Sequence, residues 1–322
     1  MNKDYKKFIV KINIFLFALI TVLGFQFLSG RFVIGSQYQG EYTASLLDKV
    51  ARLKFINKPK IILVGNSNLA FGINSGMIEN VLNIPVVNLG LHGGLGNAFH
   101  ENIAKLNINS GDIIIVCHSS FSDNDVIDNI PLAWITLEYH EELWKIIREK
   151  DFSDMITGWP NYWWNTFRLG ITFQGNKIPE LPNYSRRIFN EYGDVILKPE
   201  KEIKTIFKAD SIKVPQINDT CINRLNELNH YIRQKGATLL IASYPIGYGE
   251  YTPPAEEYDK FQKKLAEKLD CEVISNYRDY FIPYDYFYDT ILHLNEHGAK
   301  IRTEQLIKDI QKWKAQMKNY KK

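Results

Sequence analysis

The sequence predicts an α/β fold, in which a mostly parallel β-sheet is covered by helices and one apolar helix precedes it. Five short apolar segments recur along the chain, and segments with helical periodicity separate them. Strands that are apolar at every position are buried on both faces, as in parallel sheets with helices packed on each side. The predicted strands are residues 60–64, 85–89, 112–117, 237–243 and 271–275.

Three segments near or between the later strands have the spacing of amphipathic helices. In the first of them Ile222, Leu225 and Ile232 fall on one face, and Gly236 follows where a helix C-terminus favours glycine. The alternation of these helices with apolar strands is typical of α/β proteins. The three predicted helices are residues 219–235, 254–269 and 296–314.

The start of the chain indicates a membrane anchor. Residues 12–30 carry no charge, and at about 1.5 Å per residue they span roughly 28 Å, close to the thickness of a bilayer core. Lys3, Lys6, Lys7 and Lys11 precede this run, which places the N-terminus in the cytoplasm and the remaining chain outside. A cleaved signal peptide is the alternative, but the run is long for one and no A-x-A site follows it.

These patterns divide the chain into three parts. Residues 1–35 are predicted to be a cytoplasmic stub and transmembrane anchor that contacts membrane lipid, and residues 36–58 an amphipathic linker helix. Residues 59–322 are then the extracytoplasmic domain. The apolar face of the linker helix is formed by Leu46, Val50 and Leu53.

One segment of this domain, at about 120–212, is too long to be a simple connection between strands. It contains five of the six tryptophans, and we interpret it as an inserted lid or subdomain. Exposed aromatic faces there would suit stacking on sugar rings. The alternative is that these residues pack the insertion or lie at the membrane interface. They are Trp134, Trp144, Trp159, Trp163 and Trp164.

Composition narrows the classes of function. The net charge of +3 is too small to argue for a nucleic-acid partner. Cys117, Cys221 and Cys271 are odd in number and far apart, so they form neither a disulfide framework nor a metal cluster and are expected to be buried apolar residues. We expect neither a metal nor a cofactor.

Ser67 is the first candidate for chemistry. It lies in the segment Gly65-Asn66-Ser67-Asn68, directly after the first predicted strand. Open α/β sheets place their sites at the carboxyl ends of the strands, and backbone N–H groups at the start of a helix stabilise negative charge. The alternative is that Ser67 only caps a helix.

A glycine-rich turn at residues 90–96 follows the second predicted strand. Glycines there let the backbone approach a ligand closely. The glycine spacing does not match the dinucleotide fingerprint G-x-G-x-x-G, and the Gly-Lys-Ser/Thr ending of a Walker loop is missing. An ordinary tight turn is the alternative.

Asp289 and His293 lie together in a loop before the last predicted helix. A carboxylate on one imidazole nitrogen sets the tautomer, and the other nitrogen can then accept a serine proton. The alternative is a surface loop in which Asn295 caps the last helix.

Taken together, the three segments resemble the SGNH, or GDSL-like, hydrolase and acyltransferase superfamily over about residues 60–314. The first block of that family, Gly-Asp-Ser, matches Gly65-Asn66-Ser67, and its last block, Asp-x-x-His, matches Asp289 and His293 with one extra residue between them. The resemblance implies a three-layer α/β/α fold with a flavodoxin-like, mostly parallel five-stranded sheet. It also implies a catalytic triad of Ser67, Asp289 and His293.

The family's oxyanion hole is matched less well. The resemblance implies donors at Ser67, at Gly93 and at an asparagine of a third block, Gly-x-Asn-Asp. Residues 122–125 mimic that block with serine in place of its glycine, but they lie later after the third strand than expected. Asn124 is then the matching asparagine, although His118 or Ser119 could take its place. The loss of one such donor lowers kcat by on the order of 10²–10³-fold.

Members of the superfamily acetylate or deacetylate cell-surface polysaccharides, some alongside a membrane-embedded acyltransferase. For this chain the resemblance implies a serine esterase or an O-acyltransferase that acts on acyl, chiefly acetyl, esters of an acylated glycan and carries the acyl group on Ser67. A membrane-embedded acyltransferase would be a partner. The alternative is a non-catalytic glycan-binding or scaffold protein on a degenerate fold.

His293 rather than His297 is expected to be the base. In the family's last block the histidine precedes a short stretch that opens the final helix, and Leu294 and Asn295 follow His293 in this way. If Asn295 caps that helix, His297 lies in its first turn and faces away from the sheet edge. A base must be neutral, so activity should rise with pH through roughly 6–7.

Overall fold

The computed structural model describes residues 3–29, 38–122, 126–138, 140–172, 183–196, 207–208 and 211–320. A five-stranded parallel sheet forms the centre, with the strand order β2-β1-β3-β4-β6. The predicted α/β fold with a mostly parallel sheet is therefore confirmed. Its strands are β1 (Ile61–Val64), β2 (Val86–Asn88), β3 (Ile113–Val116), β4 (Thr238–Ile241) and β6 (Glu272–Val273).

Strands β1, β2 and β3 are buried along their whole length; β1 and β3 are apolar throughout, and β2 ends with the buried Asn88. Alternate residues of β1 point to opposite faces, so Ile62 and Val64 join one apolar cluster while Ile61 and Leu63 join another. The sheet is thus packed on both sides.

Helices connect and flank the strands, and Gly236 has the positive φ of 73° that its place after a helix predicts. The linker helix α2 is shorter than the predicted 36–58 and buries the expected Leu46, Val50 and Leu53. The helices are α1 (Lys3–Leu28), α2 (Leu46–Phe55), α3 (Ser67–Ala70), α4 (Ser75–Leu82), α5 (Asn97–Ala104), α6 (Ile130–Leu137), α7 (Phe152–Thr172), α8 (Asp219–Gln234), α9 (Ala255–Lys268) and α10 (Glu296–Tyr320).

Helix α1 is long and apolar enough to cross a membrane, with a mean hydropathy of 2.3 and none of its apolar window buried. It begins ahead of the predicted charge-free run and ends at Leu28. The direction in which it would cross stays a prediction.

A second, two-stranded parallel sheet was not predicted. Its strands are β5 (Ile246–Tyr248) and β7 (Phe281–Pro283). Each has only three residues. Gly247 inside the first strand, with Pro245 and Gly249 on either side of it, gives that segment the composition of a turn.

The described part of the Trp-rich segment includes α6, α7 and a strap at residues 183–196. Trp134 is buried, donates from Nε1 to the Met155 carbonyl at 2.8 Å and contacts the rings of Trp144 and Trp159. These three tryptophans pack the insertion, as the alternative interpretation expected.

The strap is bound to the sheet by buried polar contacts. The amide of Asn88, at the end of β2, donates to the Tyr192 carbonyl at 2.9 Å, and the Asn88 side chain donates to Asp194 at 2.8 Å. Lys49 Nζ donates to the carbonyls of Asn88 and Gly193. Burial lowers the pKa of Lys49 to about 7, against the opposing effect of the Asp194 charge. The strap is therefore held firmly at the carboxyl end of the sheet.

Candidate active site

Ser67 begins α3 immediately beyond the carboxyl end of β1. The residue that caps α3 is Asn66, because its Oδ1 accepts a hydrogen bond from the Asn68 amide at 3.0 Å. The interpretation of Ser67 as the cap is therefore wrong, and its hydroxyl is left for another contact.

The Ser67 hydroxyl contacts the imidazole of His293. Ser67 Oγ lies 2.8 Å from His293 Nε2, and His293 Nδ1 lies 2.7 Å from Asp289 Oδ1. Both distances are those of hydrogen bonds. The structure thus brings together the three residues named from sequence, in the order serine, imidazole and carboxylate.

Local hydrogen bonds shape the loop that carries the carboxylate and the imidazole. Thr290 Oγ1 accepts from the amides of Leu292 and His293, and the Tyr288 amide donates to the His293 carbonyl at 2.8 Å. The loop closes on itself, so the extra residue relative to the family spacing does not prevent contact between Asp289 and His293.

Phe71 fixes the plane of the His293 ring. The two rings are stacked with their centroids 4.1 Å apart and an interplanar angle of 7°. The Phe71 carbonyl also accepts a hydrogen bond from the Leu294 amide at 3.1 Å. Because Phe71 directly follows α3, it connects the segment that carries Ser67 with the loop that carries His293.

Tyr184 is a site residue that the sequence analysis missed. It lies in the strap, and its hydroxyl donates a hydrogen bond to Asp289 Oδ2 and lies 3.3 Å from His293 Nδ1. No sequence signal marked it, because its partner is 105 residues away. The insertion therefore contributes directly to the site.

The contacts of Asp289 keep it ionised. Burial acts to raise the pKa of this carboxyl group, but the hydrogen bond and charge of His293, with the hydrogen bond from Tyr184, outweigh burial and hold the pKa below its ordinary value. An ionised carboxylate on Nδ1 leaves Nε2 as the nitrogen that accepts a proton from Ser67.

His297 lies apart from this chain of contacts. It is exposed in the first turn of α10, and its ring faces that of Tyr286 at 6.4 Å between centroids. Asn295 caps α10 as predicted, since its Oδ1 accepts from the Gly298 amide at 3.0 Å. The structure therefore places His293, and not His297, against Ser67.

The backbone near Ser67 presents two free N–H groups. Within the described residues, neither the Ser67 amide nor the Gly93 amide donates a hydrogen bond to the protein. Gly93 lies beside the nucleophile segment, because a Cβ atom on it would be 3.7 Å from Asn66 Cβ. These two amides are the backbone donors predicted for an oxyanion hole.

The third predicted donor of the oxyanion hole, Asn124, is not tested by the structure, but its two alternatives are described. Asn124 lies outside the described residues. His118 is buried and its Nε2 contacts Glu101 Oε1 at 2.9 Å, so this nitrogen is not available to Ser67. Ser119 lies closer to the site, and its Oγ accepts a hydrogen bond from Asn66 Nδ2 at 2.9 Å. Asn66 and Ser119 thus bring side-chain polar groups beside the two free amides.

A buried arginine supports the nucleophile segment from the C-terminal helix. Arg302 donates to the Asn68 carbonyl at 2.6 Å, to Asn68 Oδ1 at 2.9 Å and to the Ser243 carbonyl at 3.2 Å. Asn68 in turn donates to the Cys117 carbonyl at 3.0 Å. This network connects α3, α10 and the ends of β3 and β4 beneath Ser67.

The cysteines take no part in this chemistry. Cys117 and Cys221 are buried, as expected, whereas Cys271 is partly exposed, and all three are free thiols. Burial raises the pKa of the Cys117 thiol to about 11, so it stays protonated at neutral pH.

The fold and the site together define an α/β protein in which a serine, a histidine and an aspartate are joined by hydrogen bonds at the carboxyl edge of a parallel sheet. Comparison with protein-family models and with curated proteins finds no match for this chain. The interpretation of its function therefore depends on this geometry.

Proposed function

We propose that this protein is a membrane-anchored, extracytoplasmic SGNH-type serine enzyme, an esterase or O-acyltransferase that acts on acyl, chiefly acetyl, esters of cell-surface polysaccharide. The observation that carries the proposal is the continuous contact from Asp289 through His293 to Ser67, with distances of 2.7 and 2.8 Å. A base held between a carboxylate and a hydroxyl is the arrangement that activates a serine nucleophile.

In the first half of the reaction, Ser67 Oγ attacks the carbonyl carbon of the ester while its proton passes to His293 Nε2. Asp289 stabilises the imidazolium that forms. The carbonyl oxygen becomes an oxyanion, which the Ser67 and Gly93 amides stabilise. The ester bond then breaks, and His293 returns the proton to the leaving alcohol. The acyl group remains on Ser67.

In the second half, an acceptor hydroxyl attacks the acyl-serine while His293 removes its proton. The tetrahedral intermediate collapses, and Ser67 Oγ regains the proton as the acyl group departs. When the acceptor is water, the result is hydrolysis; when it is a sugar hydroxyl, the result is transfer. Both activities use the same residues and differ only in the acceptor.

Two further features support the proposed location and fold. The lysines in the N-terminal part of α1, ahead of its charge-free run, favour an extracytoplasmic domain, where acylated glycans and a membrane-embedded acyltransferase partner would be found. The strand order and the apolar clusters on both faces of the sheet support the flavodoxin-like, three-layer α/β/α arrangement. A crystal structure would test whether helices cover both faces of the sheet in three layers.

The orientation of the domain in the membrane is tested by protease added to intact spheroplasts. The protease should digest the domain, and a domain that resists digestion until lysis would overturn the extracytoplasmic orientation.

The central experiment incubates the full chain with an activated acetyl ester, with and without an oligosaccharide acceptor, and follows Ser67 by mass spectrometry. We expect an acetyl group on the peptide that contains Ser67. Loss of that group to water identifies an esterase, and faster loss with formation of acetylated sugar identifies a transferase. If wild type and Ser67→Ala release acetate equally and Ser67 is never acylated, a non-catalytic glycan-binding or scaffold role replaces the proposal.

A further inference from the structure

Helix α7 has three chemically distinct faces. One face packs on the domain through Met155, Tyr162, Thr166 and Gly170, which are all buried. A second face is polar and exposed. The third face is apolar yet remains exposed in the described part of the chain. The polar face is formed by Asp154, Thr157, Asn161 and Arg168, which are exposed, and by Asn165, which is partly exposed.

The exposed apolar face runs the length of the helix. The face consists of apolar side chains spaced three or four residues apart, which therefore form one stripe: Phe152, Ile156, Pro160, Trp164, Phe167 and Ile171. Four of them leave a large fraction of their surface uncovered, at 37% for Phe152, 68% for Ile156, 56% for Trp164 and 62% for Ile171. A stripe of large apolar side chains on this scale marks an interaction surface.

The stripe is continuous with the end of α1. Trp163 stacks edge-on against Phe25, with ring centroids 6.5 Å apart, and its Nε1 donates to Ser29 Oγ at 3.2 Å. Trp163 also contacts the rings of Trp164 and Phe167. The end of the apolar helix α1 therefore contacts the middle of α7, beside its apolar face.

We propose that α7 lies in the membrane interface, with the stripe Phe152, Ile156, Trp164 and Ile171 inserted among the lipid acyl chains and headgroups beside α1. This inference rests on the membrane anchoring included in the proposed function. Tryptophan is enriched at the level where a bilayer meets water, and an amphipathic helix with apolar and polar faces binds in that plane. Lipid is the favoured occupant because it already surrounds α1, which the stripe adjoins.

Two anchoring elements would fix the orientation of the domain, whereas one would leave it free to rotate about its linker. The strap that carries Tyr184 belongs to the same insertion as α7. The catalytic residues would then face a constant direction relative to the membrane surface.

The test places a nitroxide spin label at single sites of the full chain, reconstituted in lipid vesicles that contain no other protein. The stripe is sampled by Ile156→Cys, Trp164→Cys and Ile171→Cys, and the matched controls on the polar face are Thr157→Cys, Asn161→Cys and Arg168→Cys. All are made in a Cys271→Ser background, since Cys271 is the partly exposed thiol. Accessibility to oxygen, which concentrates in acyl chains, is compared with accessibility to a water-soluble nickel chelate.

We expect the ratio of oxygen to nickel accessibility to be several-fold higher at the three stripe positions than at the three controls. Equal, water-like ratios at all six positions would overturn the inference. Stripe labels that are shielded from both reagents would also overturn it, because a second copy of the chain would then cover the face.

A label at Ile14→Cys in α1 separates this inference from the proposed anchoring. If Ile14 reports lipid while the stripe reports water, only the inference fails. If Ile14 also reports water, the membrane anchor itself is wrong. Near-ultraviolet circular dichroism checks that each labelled chain keeps its tertiary packing, and the chosen positions on α7 are all exposed.

Discussion

The two halves of the candidate site differ in how their polar groups are satisfied. In the base half, Asp289 and His293 are fully engaged with each other, with Tyr184 and with the Ser67 hydroxyl. In the oxyanion half, the Ser67 and Gly93 amides have no acceptor within the described residues. Unpartnered donors beside a fully engaged base are expected where a substrate oxygen supplies the missing acceptor.

Removal of the proposed nucleophile should lower kcat the most, because both halves of the site act on the attack of Ser67 on the ester. Ser67→Ala is expected to lower kcat by on the order of 10⁵–10⁶-fold while the fold survives. Ester hydrolysis and circular dichroism measure the two properties. A variant that keeps most of its rate would place the nucleophile elsewhere.

The base half is tested by a pair of histidine variants. His293→Ala should remove nearly all turnover, together with the rise in activity through roughly pH 6–7 that a histidine base produces. His297→Ala should leave both intact, because His297 is exposed and contacts no member of the triad. The measurement is a pH–rate profile of each variant. The opposite pattern would move the base by about one helical turn.

The oxyanion half is tested by two substitutions of one glycine. Gly93→Pro removes the N–H, and the site tolerates proline because Gly93 is the first residue of a short 3₁₀ helix and His92 before it is extended, at φ −62° and ψ 129°. We expect a loss in kcat on the order of 10²–10³-fold.

Gly93→Ala is the matched control, since it keeps the N–H and its Cβ meets Asn66 at an ordinary 3.7 Å. It should stay within roughly tenfold of wild type, a difference of about 1.4 kcal/mol. If both variants lose activity equally, the loss comes from the added side-chain volume at Gly93 and not from removal of its N–H. Equal retention would remove Gly93 from the oxyanion hole.

The link between the insertion and the base half is tested by Tyr184→Phe. The variant loses one hydrogen bond to a charged carboxylate, worth about 1.5 kcal/mol, so kcat should fall by on the order of tenfold. A Tyr184→Phe enzyme with wild-type rates and stability would show that the strap has no part in positioning Asp289.

The stability of this variant should depend on pH in a defined direction. The folded-state pKa of Asp289 lies below its unfolded value, so its contribution to stability is present above the unfolded pKa and is lost as pH falls through the folded one. Without Tyr184 the folded pKa should rise. The variant should therefore be less stable than wild type near pH 7, and the difference should shrink in acid. Denaturant unfolding at several pH values measures it.

The parts of the molecule that sequence analysis located are those whose signal is local. The five parallel strands were found because each lies in a short, mainly apolar segment, although β2 ends with Asn88 and β6 begins with Glu272. Asp289 and His293 were found because they are four residues apart in one loop. The helix after Asn295 was found because a cap and an apolar periodicity coincide there.

The parts that were missed depend on contacts between distant segments. Tyr184 reaches Asp289 across 105 residues, and Arg302 reaches Asn68 across 234, and neither pair leaves a pattern in the chain. The short strands β5 and β7 were missed because three residues are too few to show periodicity. The third oxyanion donor stays open, since Asn124 lies outside the described residues while Asn66 and Ser119 contact each other beside Ser67.

The separation of Ser67 from His293 by 226 residues has a consequence for biosynthesis. Under the proposed function, a chain emerging from the ribosome exposes Ser67 long before His293, the proposed base, has been made. Arg302, which holds the segment around Ser67 from below, is made later still. Under the proposed function, nascent chains and chains that end before His293 carry Ser67 without its base. Such chains do not cleave esters during synthesis and export.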